Sequence, residues 1–429
     1  MRLLRIHRII ALNLLKDIFE YCQEMTWRKE TVMRIGIAGP FNPYCVADYF
    51  DKDTSLPNVN ITASSVNTYV RALLEKGHDI VVFTTDSTSD RTKVYIGKNI
   101  TIYCLHNRFK IRGFTRYRMH GRIRNCVKRE LNNLDILHAE WTYEYAYALL
   151  PFVSIKPVLC SVRDWCPYLL TLAKGRKEQY YWKMSYYMFK KVMKENRVRF
   201  IANSDYTYKS IKDAYPQNNV DIIPNPIQRS FIREQRDDYP EKPVFVSISQ
   251  SIQNIRKNYK TLLKAFQQYL VKHPDARLIL IGWYSEEWKA SMDEEQLLRN
   301  VELKGSMNHD EIFEVLDKSS CMIHPSLEET FGNILLEAMC RRIPCIGGEA
   351  SGAVPQVLGF GKYGLLCDIT NPSSIVSAME EVSKLIAPGF ADRCTKYLLD
   401  TYADNVVADM HLALFNAALR LGGDTHERE

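Results

Sequence analysis

One short segment holds the densest group of residues whose types and spacing suit chemistry. It reads HPSLEETFGNILLEAM and runs from His324 to Met339. An apolar strand is predicted to end just before it, and a glycine precedes a helix. Free backbone N–H groups at the start of a helix bind anions, and glycine lets a phosphate approach closely. The segment therefore predicts a phosphate site around Gly332 and Asn333.

Two glutamates flank this predicted phosphate site. Glu337 lies four residues into the helix, about 6 Å along its axis at ~1.5 Å per residue. That is close to the distance from a diphosphate to its ribose, whose two hydroxyls a carboxylate can accept. Glu329 precedes the helix and is expected on the other side of the phosphates, where a sugar would lie. For Glu337 taken alone, a capped helix with exposed glutamates is the alternative.

The elements that must position this segment alternate between strand and helix. Short apolar strands are predicted in the first half at 34–38, 79–84, 135–138, 157–162 and 199–203. The rhythm ends at Asp221–Pro226 and restarts at Val244. Such alternation indicates parallel sheets covered on both faces. We therefore predict an α/β protein with two doubly wound, Rossmann-like domains facing each other across a cleft, where ligands bind beyond the carboxyl ends of the strands.

The composition is that of a folded protein with an uneven charge. Of 429 residues, 46% are hydrophobic and 25% are charged, which excludes disordered and fibrous classes. Residues 1–240 carry 38 basic and 24 acidic side chains (+14), whereas 241–429 carry 19 and 26 (−7). This asymmetry indicates two domains with different partners. The cysteines form no C-x-x-C pair, and no run of about 18 apolar residues occurs, so neither a zinc site nor a membrane-spanning helix is expected.

The spacing of Glu329 and Glu337 resembles the E-x7-E element of glycosyltransferase family 4, whose members have the GT-B fold. Further stretches between Met33 and about Phe415 resemble the same family: LEKGHDIVVFTT, IANSDYT, DIIPNPI, PCIGGEASGAVPQVL and GKYGLLCD. The resemblance implies a retaining hexosyltransferase that uses a nucleotide-sugar donor, a UDP- or GDP-sugar. It implies neither a metal ion nor a cofactor.

The resemblance also assigns roles to individual positions. The implied donor-binding residues are His324, Thr330, Phe331, Gly332, Asn333 and Glu337. Among these, Glu337 would hold the ribose, and the backbone of 331–333 would hold the phosphates. The implied catalytic residues are Glu329, Arg256 and Lys257. Glu329 would contact the transferred sugar, and the two cations would stabilise the leaving nucleoside diphosphate. A solvated helix start is the alternative for the basic pair.

The first domain departs from the family pattern. Where the family often has histidine, this chain reads SVRDWCP from Ser161 to Pro167. A guanidinium is not a base at neutral pH, so Arg163 is expected to bind phosphate or sugar. The resemblance to retaining enzymes implies same-face attack, in which the acceptor attacks the sugar on the side of the leaving group. The departing phosphate oxygen then takes the acceptor's proton, so no general base is needed. If the reaction does use a general base, Asp164 is the candidate carboxylate.

The predicted boundaries divide the chain into five parts. They are an N-terminal extension at 1–32, an acceptor-side domain at 33–223, a nucleotide-sugar domain at 224–400, a helix at 401–421 that crosses back to the first domain, and a disordered tail at 422–429. The extension resembles a signal peptide until Lys16 and Asp17 interrupt it. Export is therefore not expected, and a cytoplasmic location is.

Two basic clusters, 108–129 and 174–194, lie in the predicted acceptor-side domain, and the second is interleaved with aromatic residues. They suit an anionic membrane, so we expect peripheral attachment to the inner face of the plasma membrane and a lipid-linked glycan acceptor from capsule, exopolysaccharide or lipopolysaccharide synthesis. A solvated face and RNA binding are the alternatives. For the function, the alternative to a glycosyltransferase is another GT-B enzyme, such as a nucleotide-sugar epimerase. A nucleic-acid-binding protein ranks last and no nucleic-acid partner is expected, because that function gives 324–339 no role.

Overall fold

The chain forms two compact units. The computed structural model describes residues 32–57, 59, 63–107, 115–236, 239–386 and 389–426. Within them, the first unit comprises 32–201, 214–223 and 404–426, and the second comprises 202–213 and 224–403. The predicted N-terminal extension lies outside the described residues apart from Val32.

The first unit is built on an eight-stranded sheet. Its strands are β1 (Arg34–Ala38), β2 (Asp79–Asp86), β3 (Lys93–Gly97), β4 (Ile100–His106), β5 (Ile136–Glu140), β6 (Val158–Val162), β7 (Val198–Ala202) and β8 (Val220–Ile222). They are ordered β3-β4-β2-β1-β5-β6-β7-β8. β1 pairs in parallel with β2 and β5, and only the edge pair β3–β4 is antiparallel among the described pairings. The inner strands are buried along their length, as the apolar runs predict.

In the described part of this unit, five α-helices lie between the strands along the chain. They are α1 (Ser64–Glu75), α2 (Thr115–Glu130), α3 (Glu144–Leu149), α4 (Cys166–Leu172) and α5 (Gly175–Met193). α1 is the most deeply buried of these, since one side of its length, including Tyr69 and Leu73, is inaccessible to solvent. No helix in the described part of the chain is long and apolar enough to cross a membrane.

The second unit has a six-stranded sheet in the order β11-β10-β9-β12-β13-β14. The strands are β9 (Val244–Ser251), β10 (Arg277–Trp283), β11 (Val301–Gly305), β12 (Cys321–His324), β13 (Cys345–Gly348) and β14 (Leu365–Cys367), and all pair in parallel. Its helices are α6 (Asp205–Ala214), α7 (Tyr259–Tyr269), α8 (Glu286–Glu294), α9 (His309–Asp317), α10 (Asn333–Cys340), α11 (Val354–Val357), α12 (Pro372–Glu381) and α13 (Phe390–Thr401).

Successive residues of the second sheet enter cores on opposite faces. Val246 and Ile279 lie in one buried cluster, whereas Phe245 and Leu278 lie in the other. Both faces of the sheet are therefore covered, which is why its strands are apolar without alternation.

The last helix, α14 (Asp404–His426), belongs to the first unit. It packs on α1, where the rings of Tyr69 and His411 lie 4.3 Å apart between centroids. The helix continues to His426, so residues 422–426 are not the disordered tail that was predicted, while 427–429 lie outside the described residues.

The predicted boundary at 223 also differs from the observed division. Residues 202–213 group with the second unit although they follow a strand of the first sheet. Ser204 Oγ donates to the Thr330 carbonyl at 2.7 Å, and the Asp205 N–H donates to Gln356 Oε1 at 2.9 Å. These contacts join residues far apart in sequence, so the local pattern does not reveal them.

Candidate functional site

The loop between β12 and α10 places the predicted acidic residues next to a helix start. β12 ends at the buried His324, and α10 begins at Asn333. Gly332 occupies the N-cap position with a φ of +97°, a left-handed conformation that favours glycine, and no side chain of the described residues makes a cap hydrogen bond there. The first N–H groups of α10 are therefore without a capping side chain, as an anion site requires.

The basic pair predicted from the sequence contacts this acidic loop. Lys257 Nζ pairs with Glu329 Oε1, and Arg256 Nη1 lies 2.8 Å from Glu328 Oε2. The Leu327 N–H also donates to the Arg256 carbonyl at 2.8 Å. The short turn Ile255–Lys257 and the loop are thus joined by two ion pairs and a backbone hydrogen bond. Sequence reasoning did not assign a role to Glu328.

Glu329 is held in its ionised form. Burial would raise its pKa, but the Lys257 ammonium, the hydrogen bond from His324 and the nearby Arg256 together hold the pKa well below its ordinary value. His324 Nε2 lies 3.2 Å from Glu329 Oε1. A carboxyl in this state accepts hydrogen bonds and stabilises positive charge, but it does not supply a proton near neutral pH.

Two buried atoms of the same loop lack a hydrogen-bond partner in the part of the chain that the structure describes. They are Nδ1 of His324 and Oε1 of Glu328. Buried polar atoms are rarely left unpaired, so such atoms mark a place where a ligand or water completes the bonding. This fits the assignment of the loop to a polar ligand.

Glu337 lies in the second turn of α10 and is buried. Its Oε2 lies 3.1 Å from Nε2 of His309, the first residue of α9. The hydrogen bond with Glu337 raises the pKa of His309 above its ordinary value, against the effect of burial. The sequence spacing gave no signal for His309, because α9 and α10 meet only in the folded unit.

Contacts from three other segments hold the loop and the helix start. Asn225 Nδ2 donates to Asn333 Oδ1 at 2.8 Å, and Ala353 N–H donates to the Glu329 carbonyl at 2.9 Å. Phe331 is buried and its ring packs 5.8 Å from that of Tyr402. The Phe331 side chain is therefore part of the core, and only the backbone of Phe331 is placed to bind a ligand.

Arg163 and Asp164 lie in the first unit and are already paired. Arg163 makes two hydrogen bonds to Glu140, Nε to Oε2 at 2.7 Å and Nη2 to Oε1 at 2.9 Å, and both side chains are buried. Asp164 accepts from Trp141 Nε1 at 3.2 Å and from the Tyr143 hydroxyl. The role of Arg163 in binding phosphate or sugar stays a prediction.

No group of three histidine, cysteine or acidic side chains that could hold a metal ion occurs among the described residues. The expectation that the reaction needs no metal stays a prediction.

Solved structures of the same architecture define the fold class. The chain resembles sucrose-phosphate synthase from Thermosynechococcus elongatus with a TM-score of 0.70 and 14% identity, over 91% of this chain and 100% of that one. It resembles WaaG, a glycosyltransferase involved in lipopolysaccharide biosynthesis, with a TM-score of 0.63 and 13% identity, over 89% and 99% of the two chains. The predicted GT-B fold is confirmed.

Two family models match the chain in succession. Glycosyltransferase Family 4 matches residues 62–231, and Glycosyl transferases group 1 matches residues 228–397. The chain therefore belongs to glycosyltransferase family 4, a family of enzymes, and the recognition from the E-x7-E motif is confirmed.

Two curated relatives match part of the chain. N-acetyl-alpha-D-glucosaminyl L-malate synthase of Bacillus anthracis is 30% identical over 139 residues, which span 31% of this chain and 35% of the relative. The phosphatidylinositol N-acetylglucosaminyltransferase gpi3 subunit of Schizosaccharomyces pombe is 24% identical over 331 residues, 73% of this chain and 67% of the relative. The match to the first relative thus spans about a third of its length.

Proposed function

We propose that the protein is a retaining glycosyltransferase that moves a hexose-type sugar from a UDP- or GDP-sugar to a glycan acceptor. The observation that carries the proposal is the meeting of Arg256 and Lys257 with the acidic loop before α10. The site matches the parts of a nucleoside diphosphate. Two cations and an uncapped helix start suit the diphosphate, and a buried glutamate one turn further along the helix suits the ribose.

The proposed donor complex uses each of these groups once. The first N–H groups of α10 bind the diphosphate, and the positive end of the helix dipole favours its charge. Arg256 and Lys257 neutralise the negative charge that grows on the leaving diphosphate. Glu337 accepts hydrogen bonds from the ribose, and Glu329 accepts them from the sugar. Because the pKa of Glu329 is held well below its ordinary value, this carboxylate is a weak base, and the proton of the acceptor goes to the leaving phosphate oxygen instead.

A thermal-shift panel of UDP, GDP and their sugars tests the donor. UDP-N-acetylglucosamine belongs first in the panel, because the names of both relatives above refer to an N-acetylated glucosaminyl group. A ligand at a hundred times its Kd stabilises the folded state by about 2.7 kcal/mol. We expect Glu337→Ala to weaken donor binding and Glu329→Gln mainly to slow turnover. Glu294→Ala, at an exposed position of α8, is the control and should leave both unchanged.

Three results would contradict the proposal. Absence of stabilisation by every nucleotide would remove the donor site. Wild-type donor affinity in Glu337→Ala would contradict the ribose role of that residue. Equal donor turnover with and without acceptor would favour the nucleotide-sugar epimerase.

We further propose a lipid-linked acceptor and peripheral binding to an anionic membrane. Seven basic residues of the second cluster are all exposed: Lys174, Arg176, Lys177, Lys183, Lys190, Lys191 and Lys194. Five of these basic residues lie within α5, and Lys174 and Lys194 flank it. Tyr180, Tyr181 and Tyr187 are exposed on the same helix, while Phe189 and Val192 face the core. Of the first cluster, 108–114 lies outside the described residues, and Arg118, Lys128 and Arg129 on α2 are exposed. Basic and tyrosine side chains on one helix suit an anionic bilayer surface.

Flotation with vesicles tests the membrane proposal. The protein should float with vesicles that contain phosphatidylglycerol and remain behind with phosphatidylcholine alone. Replacing Lys183, Lys190 and Lys191 by Gln should weaken binding, whereas replacing the exposed Lys264, Lys289 and Lys318 of the second unit should not. Equal recovery with both lipids would contradict the proposal, and strong salt-dependent RNA binding would support the nucleic-acid alternative instead.

A further inference from the structure

His309 is fixed beside the proposed ribose carboxylate by its own surroundings. Asn308 caps α9 and, with Glu311, forms a capping box that sets where the helix begins. The imidazole packs against two aromatic rings that also touch each other, with centroid distances of 5.0 Å to Phe231 and 4.7 Å to Phe313. These contacts restrict the imidazole to a small range of orientations before any ligand arrives.

The imidazole in turn fixes Glu337. A glutamate side chain has three rotatable bonds, so the backbone of α10 alone does not decide where its carboxylate points. The contact of 3.1 Å between His309 Nε2 and Glu337 Oε2 removes that freedom. A carboxylate has two oxygens and about four lone-pair sites, so one contact with His309 leaves sites for both hydroxyls of a ribose.

We propose that His309 is a positioning residue that holds the carboxylate of Glu337 in the orientation that recognises the ribose diol of the nucleotide donor. This inference rests on the proposed function, because it takes Glu337 as the ribose contact. The inference also predicts a specificity. His309 should increase the affinity for a nucleotide with two ribose hydroxyls but not for one that lacks them. A purely structural role would affect both nucleotides equally.

The experiment compares ligands as well as variants of the full chain. Isothermal titration measures the Kd of UDP and GDP and of their 2′,3′-dideoxy analogues. The wild type should prefer the ribose form, and His309→Phe should lower that preference by about 10-fold, since one hydrogen bond to a charged group is lost from the site. His309→Gln should retain most of the preference, because its amide can still donate to Glu337.

A second histidine–glutamate pair of the same unit provides the matched control. His273 Nε2 lies 2.9 Å from Glu380 Oε2, and its ring stacks on that of Tyr269 at 4.1 Å. His273→Phe removes the same kind of contact and should leave the preference for ribose unchanged. His309→Asn, whose amide is too short to replace the contact, is measured beside His309→Phe, so a folding defect in one variant leaves the decision to the other.

The possible failures are distinct. A wild type that binds neither diphosphate overturns the proposed function. A wild type that binds both forms equally overturns the ribose role of Glu337 and the inference with it. A wild type that prefers ribose, together with folded His309→Phe or His309→Asn variants that keep the same preference, overturns the inference alone.

Discussion

Glu328 competes with the donor for Arg256, so removing its charge should tighten the binding of a nucleoside diphosphate. Arg256 Nη1 and Glu328 Oε2 are 2.8 Å apart, with 19% and 10% of the two side chains exposed. A diphosphate that recruits Arg256 must weaken this pair. Glu328→Gln keeps the size of the side chain and removes the competing negative charge.

The size of the effect follows from the one hydrogen bond that is exchanged. Hydrogen bonds to charged groups contribute about 1.5–3 kcal/mol, and every 1.4 kcal/mol is tenfold in Kd. The gain in affinity for UDP or GDP should therefore be at most about 10–100-fold. The unliganded variant should be less stable than the wild type, because a largely buried guanidinium loses its charged partner. Affinity and stability thus move in opposite directions.

Isothermal titration and thermal unfolding of the same samples measure both quantities. Glu302→Gln is the control, since Glu302 pairs at 2.9 Å with Arg277 in a more exposed setting of the same unit. That variant should leave the nucleotide Kd unchanged. A Glu328→Gln protein that binds the diphosphate no more tightly than the wild type would refute the competition, and with it the contact between Arg256 and the donor.

Three further predictions concern stability and the shape of the loop. His138 and His411 are fully buried, and mainly this burial lowers the pKa of each from 6.5 to about 3. The charge of Arg163 contributes to the lower pKa of His138, and the neighbouring His138 contributes to that of His411. The stability contribution is therefore complete about one pH unit above 6.5 and falls as the pH drops toward 3. Denaturant titrations at pH 7.5 and pH 5 should differ by about 2 kcal/mol per histidine, and a flat profile would contradict their burial as neutral groups. Arg163→Met leaves Glu140 without its guanidinium and should lower the free energy of unfolding by about 3–5 kcal/mol, which a second change, Glu140→Leu, should largely restore. Gly352→Ala places a Cβ 2.2 Å from the Glu329 carbonyl oxygen at a φ of +63°, so titration should show weaker nucleotide binding, and unchanged affinity would mean that the loop tolerates the displacement.

The architecture could be predicted from the sequence because the strands of each sheet have a local sequence pattern. Parallel strands buried on both faces are continuous apolar runs, and α1 ends at Glu75, two residues before Gly77 with its positive φ of +84°. The start of α10 was predictable for the same reason: Gly332 stands between a strand and a helix, and the structure gives it the left-handed φ that a glycine allows. Lys257 and Glu329, 72 positions apart, were placed in one site only through the family motif.

The residues that the sequence did not reveal are those whose partners come from another segment. Glu328 has the same residue type as its neighbour Glu329, and only the fold shows that one pairs with Arg256 and the other with Lys257. His309 follows a helix cap, a position that many polar residues occupy, and its contact with Glu337 depends on the packing of α9 against α10. Sequence periodicity reports which face of a helix is buried, but not which polar side chain meets which across two helices.

Two consecutive arginines, Arg341 and Arg342, are accommodated at the end of α10 that lies away from the site. These two arginines follow α10, at the opposite end of the helix from the loop with the acidic residues. Arg341 Nε donates to Asp317 Oδ1 at 2.8 Å, and Arg342 Nη1 donates to the Glu234 carbonyl at 2.9 Å. Cations at the carboxyl end of a helix are favoured by its dipole, and here they also fasten the polar segment that leads into the second sheet. Arg341 and Arg342 therefore support the carboxyl end of α10 and leave the anion-binding end of the same helix to Gly332, which is the part that the proposed chemistry requires.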